Sequence, residues 1–230
     1  MHRFTPSVLM ETYGRYLRDP DLLDFISDCG VRVYQYEGDH DASFHGQLYS
    51  DVFLRAGAAQ TFVWERADVP VISIISKESP ISPSTLLHEM GHALLILQTY
   101  LATGQPYGEP HIWQETCASV KYQEVMSRYR DLYNHDLVTE QSVRAELYAE
   151  TYMVIEAVGL DITQKDVHAF GLVTDENRTQ LRKTMEFLIA VGLEQYRNEV
   201  RPNLEKFTLR LRGPGHEIID VALHGSSTSV

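Results

Sequence analysis

The chemistry of this sequence is concentrated in one segment, where two histidines and a glutamate form the pattern H-E-x-x-H. The three residues are His88, Glu89 and His92. Residues four apart on a helix lie on one face with their Cβ atoms about 5–6 Å apart, so His88 and His92 can bind one metal ion. Glu89 is rotated by about 100° from His88. That rotation keeps its carboxylate off the ion but close enough to take a proton from a water on it.

The flanking residues predict that this pattern lies on a capped, buried helix. Ser82 or Ser84 can cap the start, and Pro83 suits the first turn. Gly91 weakens a helix by up to about 1 kcal/mol, which is explained if another segment must approach closely there. A second interpretation stays open, in which two core histidines simply pair beside a helix carboxylate, because buried polar groups need partners.

The rest of the chain must position this helix. Helical spacing predicts one or two opening helices that end at Gly30. Period-two runs then predict short strands at 31–36, 48–54, 61–64 and 71–76. Beyond Ser82 the pattern is helical, and the terminal residues again alternate. The predicted helices span 84–103, 111–133, 138–158, 163–170 and 175–200, and the predicted terminal hairpin spans 207–223.

This pattern predicts an α+β fold, with a small, twisted, mostly antiparallel sheet packed on the H-E-x-x-H helix and a helical C-terminal half. We expect residues 1–224 to form one catalytic domain. Its first part, 1–104, holds the sheet and the active-site helix, and its second part, 105–224, is a helical subdomain with the hairpin. Residues 225–230 are expected to be a disordered tail.

Composition narrows the function classes. The 230 residues are 43% hydrophobic and 23% charged, which is typical of a globular protein. A formal charge of −12 disfavours binding to nucleic acid. Two cysteines, Cys29 and Cys117, indicate buried thiols in a reducing compartment. No signal peptide or membrane span is visible, so a cytoplasmic location with no membrane partner is expected; the sequence does not indicate an oligomeric state.

The segment HEMGHALL resembles the active-site helix of the zincin metallopeptidases, in particular the gluzincin branch with its thimet-oligopeptidase and oligopeptidase F types. The resemblance covers roughly residues 60–125. It implies a zincin-like fold and one zinc ion per chain, bound by His88 and His92, with Glu89 as general base and then acid. It also implies that the strand before the helix is an edge strand that holds an extended substrate. The implied function is zinc-dependent hydrolysis of peptide bonds in a peptide or protein.

The third metal ligand has more than one candidate. A catalytic zinc site has three protein ligands and an open position. In the gluzincin branch the third is a glutamate on the next long helix, and the run E-x-x-A-S makes Glu115 the favoured residue. Glu146 and Glu150 are rivals, because their run resembles a helix of the ImmA/IrrE-type peptidases. If Glu115 binds the metal, one of them would instead orient an imidazole.

His111 and Tyr148 are candidates for stabilising the transition state. His111 precedes Glu115 by one helical turn, and Tyr148 shares a helix face with Tyr152. Their simpler interpretations are a partly exposed histidine at a helix start and a packing tyrosine. Two other functions stay open for the chain as a whole: a binding or structural module without turnover, and a hydrolase of a non-peptide amide.

Overall fold

The computed structural model describes residues 2–35, 42–44, 47–49, 59–66, 69–76, 80–103, 108–119, 122–133, 139–163 and 166–203. The predicted terminal hairpin and tail lie outside these residues, as does most of the predicted strand 48–54. Within the described part the protein is mostly helical and carries a small sheet. No helix there is long and apolar enough to cross a membrane.

The N-terminal segment forms a short strand and two helices. Strand β1 (His2–Phe4) leads into α1 (Pro6–Tyr13), a 3₁₀ turn and α2 (Asp21–Asp28). The predicted helix end at Gly30 is confirmed: its φ is 88°, in the region that favours glycine. The amide of Val31 donates to the Ile26 carbonyl at 2.9 Å and that of Gly30 to Ser27 at 3.0 Å, which satisfies two end carbonyls. β1 was not predicted.

The main sheet has four strands in the order β1-β2-β6-β5. The other three are β2 (Arg32–Gln35), β5 (Ala59–Arg66) and β6 (Val69–Ser76), so the predicted strands 61–64 and 71–76 are present. β1/β2 and β5/β6 are antiparallel, whereas β2/β6 is parallel. Strands β3 (Ala42–Phe44) and β4 (Gln47–Tyr49) pair only with each other in the described part.

The strand before the H-E-x-x-H helix lies in the middle of the sheet, between β2 and β5. The expectation that this strand, β6, is an edge strand is therefore wrong. Its run VISIIS is rich in β-branched apolar residues, which is typical of a strand inside a sheet rather than of an edge. Among the described strands, β5 forms that edge of the sheet.

The helical half begins with α3 (Pro83–Thr103), which carries the H-E-x-x-H pattern. It continues with α4 (His111–Ser119), α5 (Tyr122–Tyr133), α6 (Glu140–Glu156) and α7 (Asp175–Gln195), which ends in a π-helical turn. The predicted span 111–133 is thus two helices. The predicted helix 163–170 is not found in its described residues, where only Phe170–Leu172 forms a 3₁₀ turn.

Helix α3 packs against β5 and β6 on one side and against α6 on the other. The predicted close approach at Gly91 is confirmed, because a Cβ there would lie 2.6 Å from the Ala149 Cα of α6. The buried apolar side chains form one connected core around these elements. Cys29 and Cys117 are free and buried in it, as expected. The close α3–α6 contact is what brings the candidate site together.

Candidate metal site

Helix α3 fixes the direction of the H-E-x-x-H side chains. Ser82 caps the helix, since its Oγ accepts the Thr85 amide at 3.1 Å and its carbonyl accepts the Leu86 amide at 3.0 Å. The apolar face is buried, which sets the rotation of the helix: Leu86, Leu87, Met90, Ala93, Leu94 and Leu97. His88 and His92 consequently lie at the partly exposed boundary of the core.

Helix α6 brings a third ligand group to the two histidines. His88 Nε2 lies 3.3 Å from Glu146 Oε2, and His92 Nε2 lies 3.5 Å from Glu146 Oε1. The two Nε2 atoms are 3.1 Å apart. Glu146 lies on the same helical stripe as Val143, Leu147 and Glu150, spaced three and four residues apart. This stripe packs against α3, so the carboxylate is directed at the histidines.

The spacing of these atoms is close to that between neighbouring ligands of one metal ion. With bonds of about 2.0–2.1 Å, two ligand atoms of a tetrahedral zinc are roughly 3.3–3.4 Å apart. An octahedral ion with similar bonds would place neighbouring ligand atoms roughly 3.0 Å apart. The three observed distances run from 3.1 to 3.5 Å. In the described residues, two imidazoles and one carboxylate thus form a group that could hold one metal ion.

The three groups are also electrostatically matched. Burial lowers the pKa of His92, but the carboxylate of Glu146, with smaller effects from Glu89 and Glu150, outweighs it and raises this pKa to about 9. Burial would raise the pKa of Glu146, yet His92 and His88 hold it well below its usual range. Glu146 is therefore an anion at neutral pH.

Glu89 lies beside this group without belonging to it. Its side chain is buried, at 6% exposure. Its Oε2 accepts a hydrogen bond from Thr61 Oγ1 of β5 at 2.5 Å. Glu89 is not among the residues whose ligand atoms converge. Neighbouring helix positions are about 100° apart, and the Glu89 carboxylate accordingly lies beside the two histidines rather than among the converging ligand atoms.

Glu150, the other rival from the sequence, has a different role. Its carboxylate accepts the backbone amides of His168 at 2.8 Å, Ala169 at 3.1 Å and Phe170 at 2.6 Å. Burial raises its pKa to about 7 despite these hydrogen bonds, which lower it. Because these amides bond to Glu150, they do not bond to helix carbonyls, which is consistent with the absence of an α-helix at 168–170.

The structure does not bring Glu115 or His111 to the histidines of α3. Both lie on α4, where the Glu115 side chain is 66% exposed and the His111 side chain 82% exposed, and they pair with each other at 3.6 Å. The buried residues of α4 are Trp113, Thr116 and Cys117. Glu115 follows Trp113 by two positions, about 200° around the helix, so its carboxylate points away from the core. The glutamate that lies beside His88 and His92 is Glu146.

Tyr148 is likewise outside the site. It is fully buried, packs edge-on against Trp113, and its hydroxyl donates to Gln98 Oε1 at 2.6 Å. Burial raises its pKa far above the usual value. Gln98 in turn donates to the Leu188 carbonyl at 2.8 Å, which ties α3 to α7. These contacts make Tyr148 a packing residue, the simpler of its two interpretations, and Tyr152 is buried in the same way.

Comparison of the chain with protein-family models, with curated proteins and with solved structures found no match. The function can therefore be inferred only from the residues of the site. Thr61, whose hydroxyl contacts Glu89, was placed by sequence reasoning only within a strand.

Proposed function

We propose that this chain is a zinc-dependent metallopeptidase with a zincin-like fold, and that His88, His92 and Glu146 bind its metal. The observation that carries the proposal is the convergence of two imidazole nitrogens, 3.1 Å apart, on the carboxylate of Glu146, whose two oxygens lie 3.3 and 3.5 Å from them. A carboxylate that is not a ligand, that of Glu89, lies beside them. A structural metal site has no need of such a group, whereas a hydrolytic site requires a base.

The chain's own residues divide the work of hydrolysis. When bound, zinc supplies Lewis acidity, which lowers the pKa of water and polarises the scissile carbonyl. The three ligands hold the ion on the face of α3 that is partly open to solvent. The Glu89 carboxylate takes the proton of the attacking water and later delivers it to the leaving amine nitrogen. Its low exposure strengthens its interaction with developing charge.

The substrate class we propose is an extended peptide segment. Among the described strands, β5 pairs with β6 alone, so its other side is an edge. The contact between Thr61 and Glu89 places this edge next to the proposed base. A peptide added to β5 by main-chain hydrogen bonds would carry one of its peptide bonds past Glu89.

The test compares wild type with Glu89→Gln, using metal analysis by mass spectrometry and digestion of a quenched fluorescent peptide library. Both proteins should bind about one zinc ion per chain. Wild type should cleave peptides, and Glu89→Gln should be slower by about 10²–10⁴-fold or more. Glu115→Gln is the matched control, because its exposed side chain lies away from the site; its activity should equal that of wild type.

Two outcomes would contradict the proposal. Zinc-loaded wild type that cleaves no peptide would indicate a binding or structural module, or a hydrolase of another amide. Loss of zinc from Glu89→Gln would make Glu89 a ligand and leave the site without its base.

A further inference from the structure

We propose that Thr61 is a positioning residue for Glu89: its hydroxyl holds one carboxylate oxygen, Oε2, so that proton transfer takes place at the other oxygen, Oε1. This inference rests on the proposed function, in which Glu89 is the base. It adds a residue from the sheet to a site whose other members all lie on helices α3 and α6.

The hydrogen-bond geometry assigns the single hydroxyl proton of Thr61. Thr61 Oγ1 lies 2.5 Å from Glu89 Oε2 and 3.1 Å from the Glu89 backbone carbonyl oxygen. A hydroxyl has one proton to donate, and hydrogen bonds to an ionised carboxylate are the shorter and stronger ones, at about 2.5–2.7 Å. The proton therefore goes to Oε2. One oxygen of the base is then engaged, and the second is left for the reacting proton.

Both ends of this hydrogen bond are held by regular structure. Thr61 pairs in register with Ile74 of β6, a fully buried residue in the middle of the sheet. Threonine is branched at Cβ, so its χ1 angle has few alternatives. Glu89 is fixed at its backbone by α3 and at its carboxylate by Thr61. A long side chain that would otherwise sample several rotamers is thus kept in one orientation beside the metal ligands.

During hydrolysis of the peptide bond, Glu89 accepts one proton and later donates it. The water oxygen forms a bond to the carbonyl carbon, the π electron pair of the carbonyl moves to its oxygen, and one of the two water protons moves to Glu89 Oε1. The pair then re-forms the C=O bond as the C–N bond breaks, and the proton held by Glu89 passes to the amine nitrogen. Thr61 keeps its own proton throughout, so it takes no part in the bond changes. Its removal should slow the chemical step and leave substrate binding unchanged, because the backbone of β5 is the part expected to contact the peptide.

The first test measures kcat and KM of Thr61→Val and Thr61→Ser with zinc bound. Valine keeps the branched shape and loses the hydroxyl, whereas serine keeps the hydroxyl. We expect Thr61→Val to lower kcat by about 10- to 100-fold with KM within about twofold, and Thr61→Ser to restore kcat to within about threefold of wild type. Thr99→Val is the matched control, since the Thr99 hydroxyl donates within α3 to Leu95; its kcat should not change.

A double variant shows whether Thr61 acts through Glu89. In the Glu89→Gln background, adding Thr61→Val should produce no further loss, because the group it positions is already gone. An equal loss in both backgrounds would overturn the proposal, as would an unchanged kcat in Thr61→Val or a failure of Thr61→Ser to restore it.

Crystal structures of zinc-loaded wild type and Thr61→Val give a readout that does not depend on turnover. The wild type should show one Glu89 rotamer bonded to Thr61, and the variant should show a rotated or multiple carboxylate. The same Glu89 orientation in both structures would refute the positioning role even if no peptide were ever cleaved. Absence of turnover in wild type with the expected rotamer change would instead refute the proposed function and retain only the orientation of Glu89 by Thr61.

Discussion

Substituting Gly91 with alanine tests whether the close contact between α3 and α6 sets the metal site. A Cβ at this position would lie 2.6 Å from the Cα, 3.0 Å from the carbonyl oxygen and 3.2 Å from the Cβ of Ala149. Carbon atoms in ordinary contact are about 3.5–4.0 Å apart. The Ala149 contacts are mainly with backbone, so a side-chain rotation cannot relieve them. The two helices must separate by roughly 1 Å.

The consequence for the site follows from where its members lie. His88 and His92 are on α3 and Glu146 is on α6, so separation of the helices lengthens the distances that an ion must bridge. The His88 to Glu146 distance of 3.3 Å would grow to about 4.3 Å, well beyond tetrahedral spacing. We expect zinc affinity to fall by about 10- to 100-fold. The free energy of unfolding should fall by up to about 2 kcal/mol. Overpacking costs about 1–3 kcal/mol, and the higher helix propensity of alanine offsets about 1 kcal/mol of it.

The assay is a zinc titration against a chromogenic chelator, with thermal unfolding of the metal-free protein alongside. Gly171→Ala is the matched control: no atom lies within 4 Å of its Cβ position, so it should bind zinc like wild type. Wild-type zinc affinity in Gly91→Ala, with unchanged or higher thermal stability, would refute the argument that this contact sets the site.

Two further predictions concern Tyr148 and pH. Tyr148→Phe should leave kcat within about threefold but lower stability by about 1–3 kcal/mol, because Gln98 Oε1 loses its donor; a much larger fall in kcat at full stability would return Tyr148 to the active site. Zinc affinity should rise from pH 6.5 to about 9, since the raised pKa of His92 makes zinc displace a proton. The raised pKa of His92 also stabilises the metal-free fold: the stabilisation is fully present below pH 6.5 and is lost as the pH rises through 9. The free energy of unfolding of the metal-free protein, measured across this range, should therefore fall with rising pH.

Features set by neighbouring residues could be predicted from the sequence. The cap at Ser82, the helix end at Gly30 and the apolar strand β6 all depend on local conformational preferences, and all are present in the structure. Gly91 predicted a close helix contact correctly because a glycine inside a buried helix needs such a reason. The partner at that contact, Ala149 of α6, is a long-range pairing that no local preference indicates.

The proposed third metal ligand, Glu146, is not the residue that spacing along the chain favoured. Spacing and resemblance favoured Glu115, but helical phase opposes it, because Trp113, Thr116 and Cys117 define the buried face of α4. The same reasoning favours Glu146, which shares a stripe with buried Val143 and Leu147. The phase of the apolar residues around each helix is thus a signal that the sequence contains. The edge position of β5 could not be predicted, because the order of strands depends on a parallel pairing between distant segments.

Thr61 could not have been found from the sequence. Its contact with Glu89 requires the register of β5 on β6 and the rotation of α3 to be right together. A one-residue slip of the strand would turn the hydroxyl to the other face of the sheet. Many other threonines in the sequence could equally well have been expected to contact Glu89, and only the packed structure distinguishes Thr61 from them.

Zinc binding by Glu146→Gln and by Glu115→Gln, each compared with wild type by chelator competition, tests the proposed assignment of the metal ligands. We predict one zinc ion per chain for wild type and Glu115→Gln with equal affinity, and at least about a tenfold weaker affinity for Glu146→Gln, since loss of a direct ligand exceeds loss of a supporting contact. Normal zinc binding by Glu146→Gln, together with its loss in Glu115→Gln, would contradict the assignment of His88, His92 and Glu146 as the metal ligands.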